Sequence, residues 1–181
     1  MKGGTIENVE LSEVSMARRP TLESLMQFYL HDFSEFAPIG TWHGEVGDDG
    51  KLAYDGLDLY WQEEGRVPLF IFADGRLAGF ALVHRWSALD RPMDRSVAEF
   101  FVLRKYRRSR IGSRAAALLF ERFPGRWEVP VASYNQPALA FWRKAMLAIA
   151  ANAEEVAGDG KRWAGTVLCF ERGQGRNNQR S

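Results

Sequence analysis

The chain has 181 residues, of which 46% are hydrophobic and 26% charged. A chain of this make-up buries enough apolar surface to offset its ordering entropy, which excludes global disorder and suits one compact domain. Its 24 basic and 23 acidic side chains leave a net charge of +1, so no overall field draws it to nucleic acid or to an anionic membrane. The one cysteine, Cys169, rules out a disulfide within the chain and a multi-cysteine zinc site. Residues 1–10 are polar and carry Glu7 and Glu10, unlike the apolar run of a signal peptide. No run of about 18 apolar residues occurs, so no membrane helix is expected and the expected location is cytoplasmic.

In chain order, residues 6–16 alternate through Val9, Leu11 and Val14 and predict a strand. Thr21, after Pro20, is the expected cap of a helix whose apolar side is Leu22, Leu25, Met26, Tyr29 and Leu30, ended by Pro38 and Gly40. Residues 40–58 are rich in Gly, Asp and Trp and predict a loop, with a short helix near Tyr60. Two apolar runs around Asp74-Gly75 predict a hairpin. A third strand, 97–103, leads into a basic segment and then a helix with Ile111, Ala115, Leu118, Leu119 and Phe123 on one side, stopped by Pro124-Gly125. Residues 127–132 predict a strand, and Asn135 is the expected cap of a second helix with Pro137 in its first turn. Its apolar side is Ala138, Phe141, Trp142, Ala145, Met146 and Ile149. Residues 154–156 and 162–170 flank Gly158-Asp159-Gly160 as a last hairpin, and 172–181 read as a flexible polar tail. Strands and helices in this order make a mixed α+β pattern rather than a regular βα alternation.

Chemistry concentrates where the 97–103 strand gives way to the following helix. Helix N-termini carry free backbone N–H groups and partial positive charge, which suit phosphates. Arg104, Lys105, Arg107, Arg108, Arg110 and Arg114 add charge there, and Gly112 lets a ligand approach the backbone. A solvated basic loop is the competing reading.

The segment Arg107-Arg108-Ser109-Arg110-Ile111-Gly112 after a strand resembles the pyrophosphate loop of the GNAT superfamily of acyl-CoA-dependent N-acetyltransferases. That pattern is Arg or Gln, two residues, Gly, one residue, then Gly or Ala. Arg107, Ile111 and Gly112 match it, and Arg110 stands at the first Gly. Downstream, Asn135-Gln136-Pro137-Ala138-Leu139-Ala140-Phe141-Trp142-Arg143 resembles the second motif, which runs Asn, two residues, Ala, two residues, Phe, aromatic, then basic. The order of motifs and hairpins extends the resemblance over about residues 6–170. It implies a single domain over 1–171 with a central, twisted, mostly antiparallel sheet flanked by helices.

It also implies acetyl-CoA as co-substrate, without a metal. The cofactor arm would lie beside Phe101, Val102 and Leu103 and pair with free backbone groups. Residues Arg108, Ser109, Arg110, Ile111, Gly112 and Ser113 would surround the pyrophosphate, with Arg107 adding charge. Asn135 and Phe141 would flank the arm. Arg110 is compatible with this role if its φ is negative and its side chain points to solvent or phosphate. Glu99, a carboxylate inside an apolar strand, is the candidate base, because desolvation raises its pKa toward a useful range. A solvent-facing strand position is its other reading. The usual acid of the family is a Tyr where this chain has Trp142, which leaves Tyr134 as the candidate acid; a CoA thiolate also leaves without one.

Acetyl transfer to a small-molecule or peptide amine is the function this implies, and the resemblance leaves a homodimer open. Acidic residues from Asp32 to Asp58 offer an attraction for an amine. Two other functions compete: a non-catalytic CoA-binding or sensor protein, favoured by Arg110 and Trp142, and a small nucleic-acid-binding domain using the 104–114 patch. Near-zero net charge and the lack of interleaved aromatics weigh against nucleic acid.

Overall fold

The computed structural model describes residues 6–36, 44–150 and 152–173. The helix stop at Pro38 and Gly40, Trp42 in the expected loop, and all of the tail beyond Gly173 lie outside these residues. Among these residues, seven strands and three α-helices follow one another as β1 (Val9–Glu13), α1 (Arg19–Ser34), β2 (Val67–Ala73), β3 (Arg76–His84), β4 (Arg95–Val102), α2 (Ile111–Arg122), β5 (Gly125–Ala132), α3 (Gln136–Ile149), β6 (Glu154–Ala157) and β7 (Gly165–Arg172). The strands order as β1-β2-β3-β4-β5-β7-β6 in one sheet. The β1–β2, β2–β3, β5–β7 and β6–β7 pairs are antiparallel, and β4–β5 is parallel. This is the mixed α+β architecture expected from the sequence. Among the described residues no helix is long and apolar enough to cross a membrane.

The contacts divide the chain into two compact units, Met1–Val83 with Glu99–Gly112, and His84–Ala98 with Ser113–Ser181. In the first, Asp74 and Gly75 join β2 to β3 with φ of 46° and 71°. Positive φ at both residues is what a tight hairpin turn of matching twist requires, so this turn is legible in two letters. The β2–β3 register slips between Ile71 and Phe72, which makes a bulge in β3 at Ala78. The bulge turns the Ala78 carbonyl to accept from the Leu103 N–H at 2.8 Å. Gly79 lies so close to the end of β4 that a Cβ would collide with the Phe101 carbonyl oxygen.

Helix α1 starts at Arg19, two residues before the expected Thr21 cap. Pro20 occupies its first turn, where a missing N–H costs nothing and φ is already set for a helix, so Thr21 lies inside. Leu22, Leu25 and Met26 are its buried residues. The short helix expected near Tyr60 is a 3-10 turn, Leu57–Trp61.

In the second unit, Phe120 of α2 meets Trp127 and Phe170 edge-on at 4.7 and 4.8 Å. Such aromatic contacts give this core its shape. Ala116 and Phe120 are buried, whereas Leu118 of the expected stripe is only half-buried. Asn135 caps α3 as expected, its side chain accepting from the Ala138 N–H at 3.1 Å. The buried residues of α3 are Leu139, Trp142, Ala145 and Met146. Arg172 belongs to β7, not to a tail: it pairs with Gly125, and its Nη1 donates to the Ile149 carbonyl at 3.0 Å.

Candidate active site

Strand β4 carries the carboxylate Glu99 into the first unit, where the residue is half-buried. The Tyr29 hydroxyl of α1 donates to Glu99 Oε2. The Tyr54 hydroxyl donates to Oε1 at 3.2 Å. The Tyr29 ring also lies 5.8 Å from both the Phe80 and Phe101 rings, so the hydroxyl that holds the carboxylate stands on an aromatic wall. Burial raises the Glu99 carboxyl from the usual carboxylate range up to about 7, although both phenol hydrogen bonds pull the other way. The Tyr54 and Tyr60 hydroxyls are pushed above the usual range, first by burial and then by the negative charge of Glu99, and so remain protonated donors. Glu99 is therefore not on a solvent-facing side of the strand.

Past β4 the chain makes a short 3-10 turn, Arg104–Tyr106, and enters the basic loop. Arg108 and Arg110 have φ of 60° and 64°. Arg110 thus takes a left-handed conformation, contrary to the negative φ expected for a tolerated arginine. A left-handed L-residue costs roughly 1–2 kcal/mol, which is the physical reason glycine suits this position. Left-handed residues of this kind, at Arg108 and Arg110, are a recurring element of anion-binding backbone nests. Both side chains are exposed, and Ser109 Oγ donates back to the Tyr106 carbonyl. Ile111 is fully buried, so its side chain is core. Gly112 is half-buried and Ser113 exposed.

Phe101 and Val102 are buried; the Val102 carbonyl accepts from Arg107 Nε at 2.8 Å and the Leu103 N–H donates to the Ala78 carbonyl. The Arg107 guanidinium is held from more than one side. It also donates to Asp32 of α1 and sits 5.5 Å above the Phe101 ring. Arg104 grips the other Asp32 oxygen with Nε at 2.9 Å and Nη2 at 2.7 Å. Asp32, expected among the acids facing an amine, is instead the clamp of the basic loop.

Burial alone would raise the Asp32 carboxyl, but the hydrogen bonds and charges of Arg104 and Arg107 outweigh it and hold the group below the usual range. A depressed carboxyl contributes stability above its unfolded pKa and loses it as pH falls through the folded value. Asp32→Asn is expected to lower the unfolding midpoint by about 3 °C at pH 7, allowing for solvent screening, as measured by circular dichroism. The difference from wild type should begin to shrink as pH falls below the ordinary carboxyl value of 3.8 and vanish only below the lowered folded value, where Asp32 itself becomes neutral.

In the second unit Tyr134 is 53% exposed in the turn before α3, Asn135 is engaged as the helix cap, and Phe141 is half-buried. Trp142 is buried and lies 6.1 Å from Phe120, so the aromatic at the family's Tyr position serves the core. Burial, with Glu128 and Glu154 nearby, pushes the Cys169 thiol up to about 11, which leaves it unreactive. Sequence reasoning missed Tyr29 and Tyr54 as parts of the site, and for Asp32 it missed the pairing with Arg104 and Arg107; Tyr29 had the spacing of an ordinary packing residue.

Residues 22–146 match the model of the acetyltransferase (GNAT) family. The chain belongs to the GNAT family of acetyltransferases. No curated protein matches it in sequence. Among solved structures it is similar to an acetyltransferase from Thermus thermophilus, with a TM-score of 0.63 and 18% identity over 93% of this chain and 99% of that one. The PaiA N-acetyltransferase from Thermoplasma acidophilum, in complex with coenzyme A, is similar with a TM-score of 0.60 and 14% identity over 91% of this chain and 99% of that one. The spermidine N-acetyltransferase from Vibrio cholerae, in complex with CoA and spermine, gives 0.58 and 8% over 91% and 95%. At these identities the likeness is one of fold, and it gives the same GNAT architecture that β4 and the basic loop display.

Proposed function

We propose that this GNAT protein, as a cytoplasmic enzyme, transfers an acetyl group from acetyl-CoA to an amine acceptor by direct attack in a ternary complex. The observation that carries the reading is Glu99: a carboxylate drawn into an aromatic wall and raised to about 7, on the strand that runs into the basic loop. A base of this kind is ionised in useful amount at neutral pH and still strong enough to take a proton from an ammonium.

What supports a diphosphate site at the 107–112 loop is that it leads into the N-terminus of α2, carries left-handed backbone at Arg108 and Arg110 and is rich in arginine. Acetyl-CoA supplies the acyl group and a thiolate leaving group. Glu99 accepts a proton from the acceptor ammonium, directly or through water. The freed nitrogen lone pair bonds to the thioester carbonyl carbon as the carbon–sulfur bond breaks, and the electron pair leaves on sulfur. The nitrogen then gives up its remaining excess proton to solvent, and, with Trp142 buried and indole no acid, the thiolate leaves as such or takes its proton from water. Asn135 and Phe141 are the residues of the second unit assigned to the cofactor arm. The acceptor class is a small-molecule or peptide amine.

Calorimetric titration with acetyl-CoA tests this reading. Micromolar binding is expected. Arg110→Gly should retain it, because glycine adopts the same φ without the Cβ penalty, and Gly112→Val should weaken it about tenfold or more by adding bulk beside the backbone. A panel of spermidine, lysine, an N-terminal peptide and glucosamine then reads CoA release. Binding without turnover on any amine would favour the sensor function. No binding at millimolar ligand would overturn the acetyltransferase reading.

A further inference from the structure

Glu99 is held from two directions by segments far apart in the chain. Tyr29, on α1, takes Oε2; Tyr54, in the loop before the Leu57–Trp61 turn, takes Oε1. Two donors on two different oxygens fix both the position and the plane of a carboxylate, which one donor does not. The loop that brings Tyr54 is itself fastened. The Gln27 side chain donates to the Leu52 carbonyl at 3.0 Å and accepts from the Leu52 N–H at 2.8 Å, as a neighbouring strand would. Gln27 lies on α1 two residues before Tyr29, so one helix sets both arms of the grip.

We propose that Tyr29 and Tyr54 are positioning residues of the transfer reaction, which aim the Glu99 carboxylate and hold it ionised, and that Gln27 acts through them by seating the Tyr54 loop. This rests on the reading of Glu99 as the base. The chemistry is specific. Glu99 is half-buried beside Tyr29, whose ring packs on Phe80 and Phe101, and an unbonded carboxylate there would take up a proton more readily. The titratable groups that face it are Tyr29 from α1, Tyr54 from the loop and Tyr60 from the 3-10 turn, with the Arg66 guanidinium 5.5 Å from the Tyr60 ring. The Tyr54 and Tyr60 phenols stay protonated at neutral pH because burial and the charge of Glu99 both oppose their ionisation. Tyr29 and Tyr54 are bonded to the carboxylate, and removing either hydroxyl takes away stabilisation of the charged form alone.

The test is a 13C NMR titration of the full chain labelled at glutamate carboxyls, with the Glu99 resonance assigned by its loss in Glu99→Gln. Wild type is expected to titrate with a midpoint of about 7. Tyr29→Phe and Tyr54→Phe, which keep the ring and remove the hydroxyl, should each move the midpoint up by about one pH unit. Gln27→Ala should move it in the same direction by less. The pH profile of kcat/KM, read as CoA release with the best acceptor of the amine panel, should shift alongside. An unmoved NMR midpoint in both phenylalanine variants overturns the proposal while leaving Glu99 as base. A moved midpoint with an unmoved kinetic profile shows that the tyrosines hold a carboxylate that is not the base, and then the base reading fails.

Discussion

Glu99→Gln is expected to lower kcat about 10²–10³-fold, the ordinary worth of a positioned general base, and to leave acetyl-CoA binding unchanged in the calorimeter. The amide keeps the size of the side chain and one acceptor oxygen, so the aromatic wall and the Tyr29 contact survive. What is lost is the capacity to take a proton. In wild type the rate should rise with pH through about 7, because only the ionised carboxylate accepts a proton. In the variant that limb should vanish rather than move. Stability should change the other way. A carboxyl whose folded pKa is raised above its ordinary 4.5 binds protons more tightly in the folded state, so its contribution falls as pH rises toward 7. Above pH 7 the glutamine variant is therefore expected to unfold at a higher temperature than wild type. A variant that loses neither rate nor the pH limb would remove Glu99 from the chemistry.

The second large effect is structural. Gly79→Ala is expected to destabilise the protein by about 3 kcal/mol, read as a lower urea midpoint at unchanged slope. The new Cβ would strike the Phe101 carbonyl oxygen and come within 3.0 Å of the Phe101 carbonyl carbon and of Val102 Cα. These are backbone atoms of β4, so no rotamer change relieves the contact, and the strand itself has to move. Glu99 lies two residues away on that strand, and its grip by Tyr29 and Tyr54 depends on where the strand runs. The variant should thus also raise the KM for acetyl-CoA, because the loop that follows Val102 is tied to it through Arg107 Nε. Gly75→Ala is the useful contrast. It meets no atom within 4 Å, so any cost there comes from its φ of 71° rather than from collision.

Much of this protein was legible along the chain, wherever the physics is local. Asp74-Gly75 wrote the hairpin because few residue pairs take positive φ twice. Asn135 and Pro137 wrote the start of α3, since capping and a fixed φ act within one turn. The Arg107 to Gly112 pattern and the Asn135 to Arg143 pattern pointed to the GNAT family, and Glu99 stood out as a charge inside an apolar strand.

Tertiary structure decided the rest. The partners of Glu99 lie 70 and 45 residues away, and no local pattern distinguishes a tyrosine that packs from one that also donates to a carboxylate. The same holds for Asp32, which reads as one acid among many until the end of β4 delivers Arg104 and Arg107 to it. Nor does the letter at Arg110 show that its backbone takes the left-handed conformation that favours glycine, with φ of 64°. The sequence alone determined the element order, the family and the identity of the buried carboxylate, because spacing and turn chemistry act between neighbours. The folded chain decided which hydroxyls grip that carboxylate and which acid clamps the loop, because hydrogen bonds and ion pairs depend on distance in space.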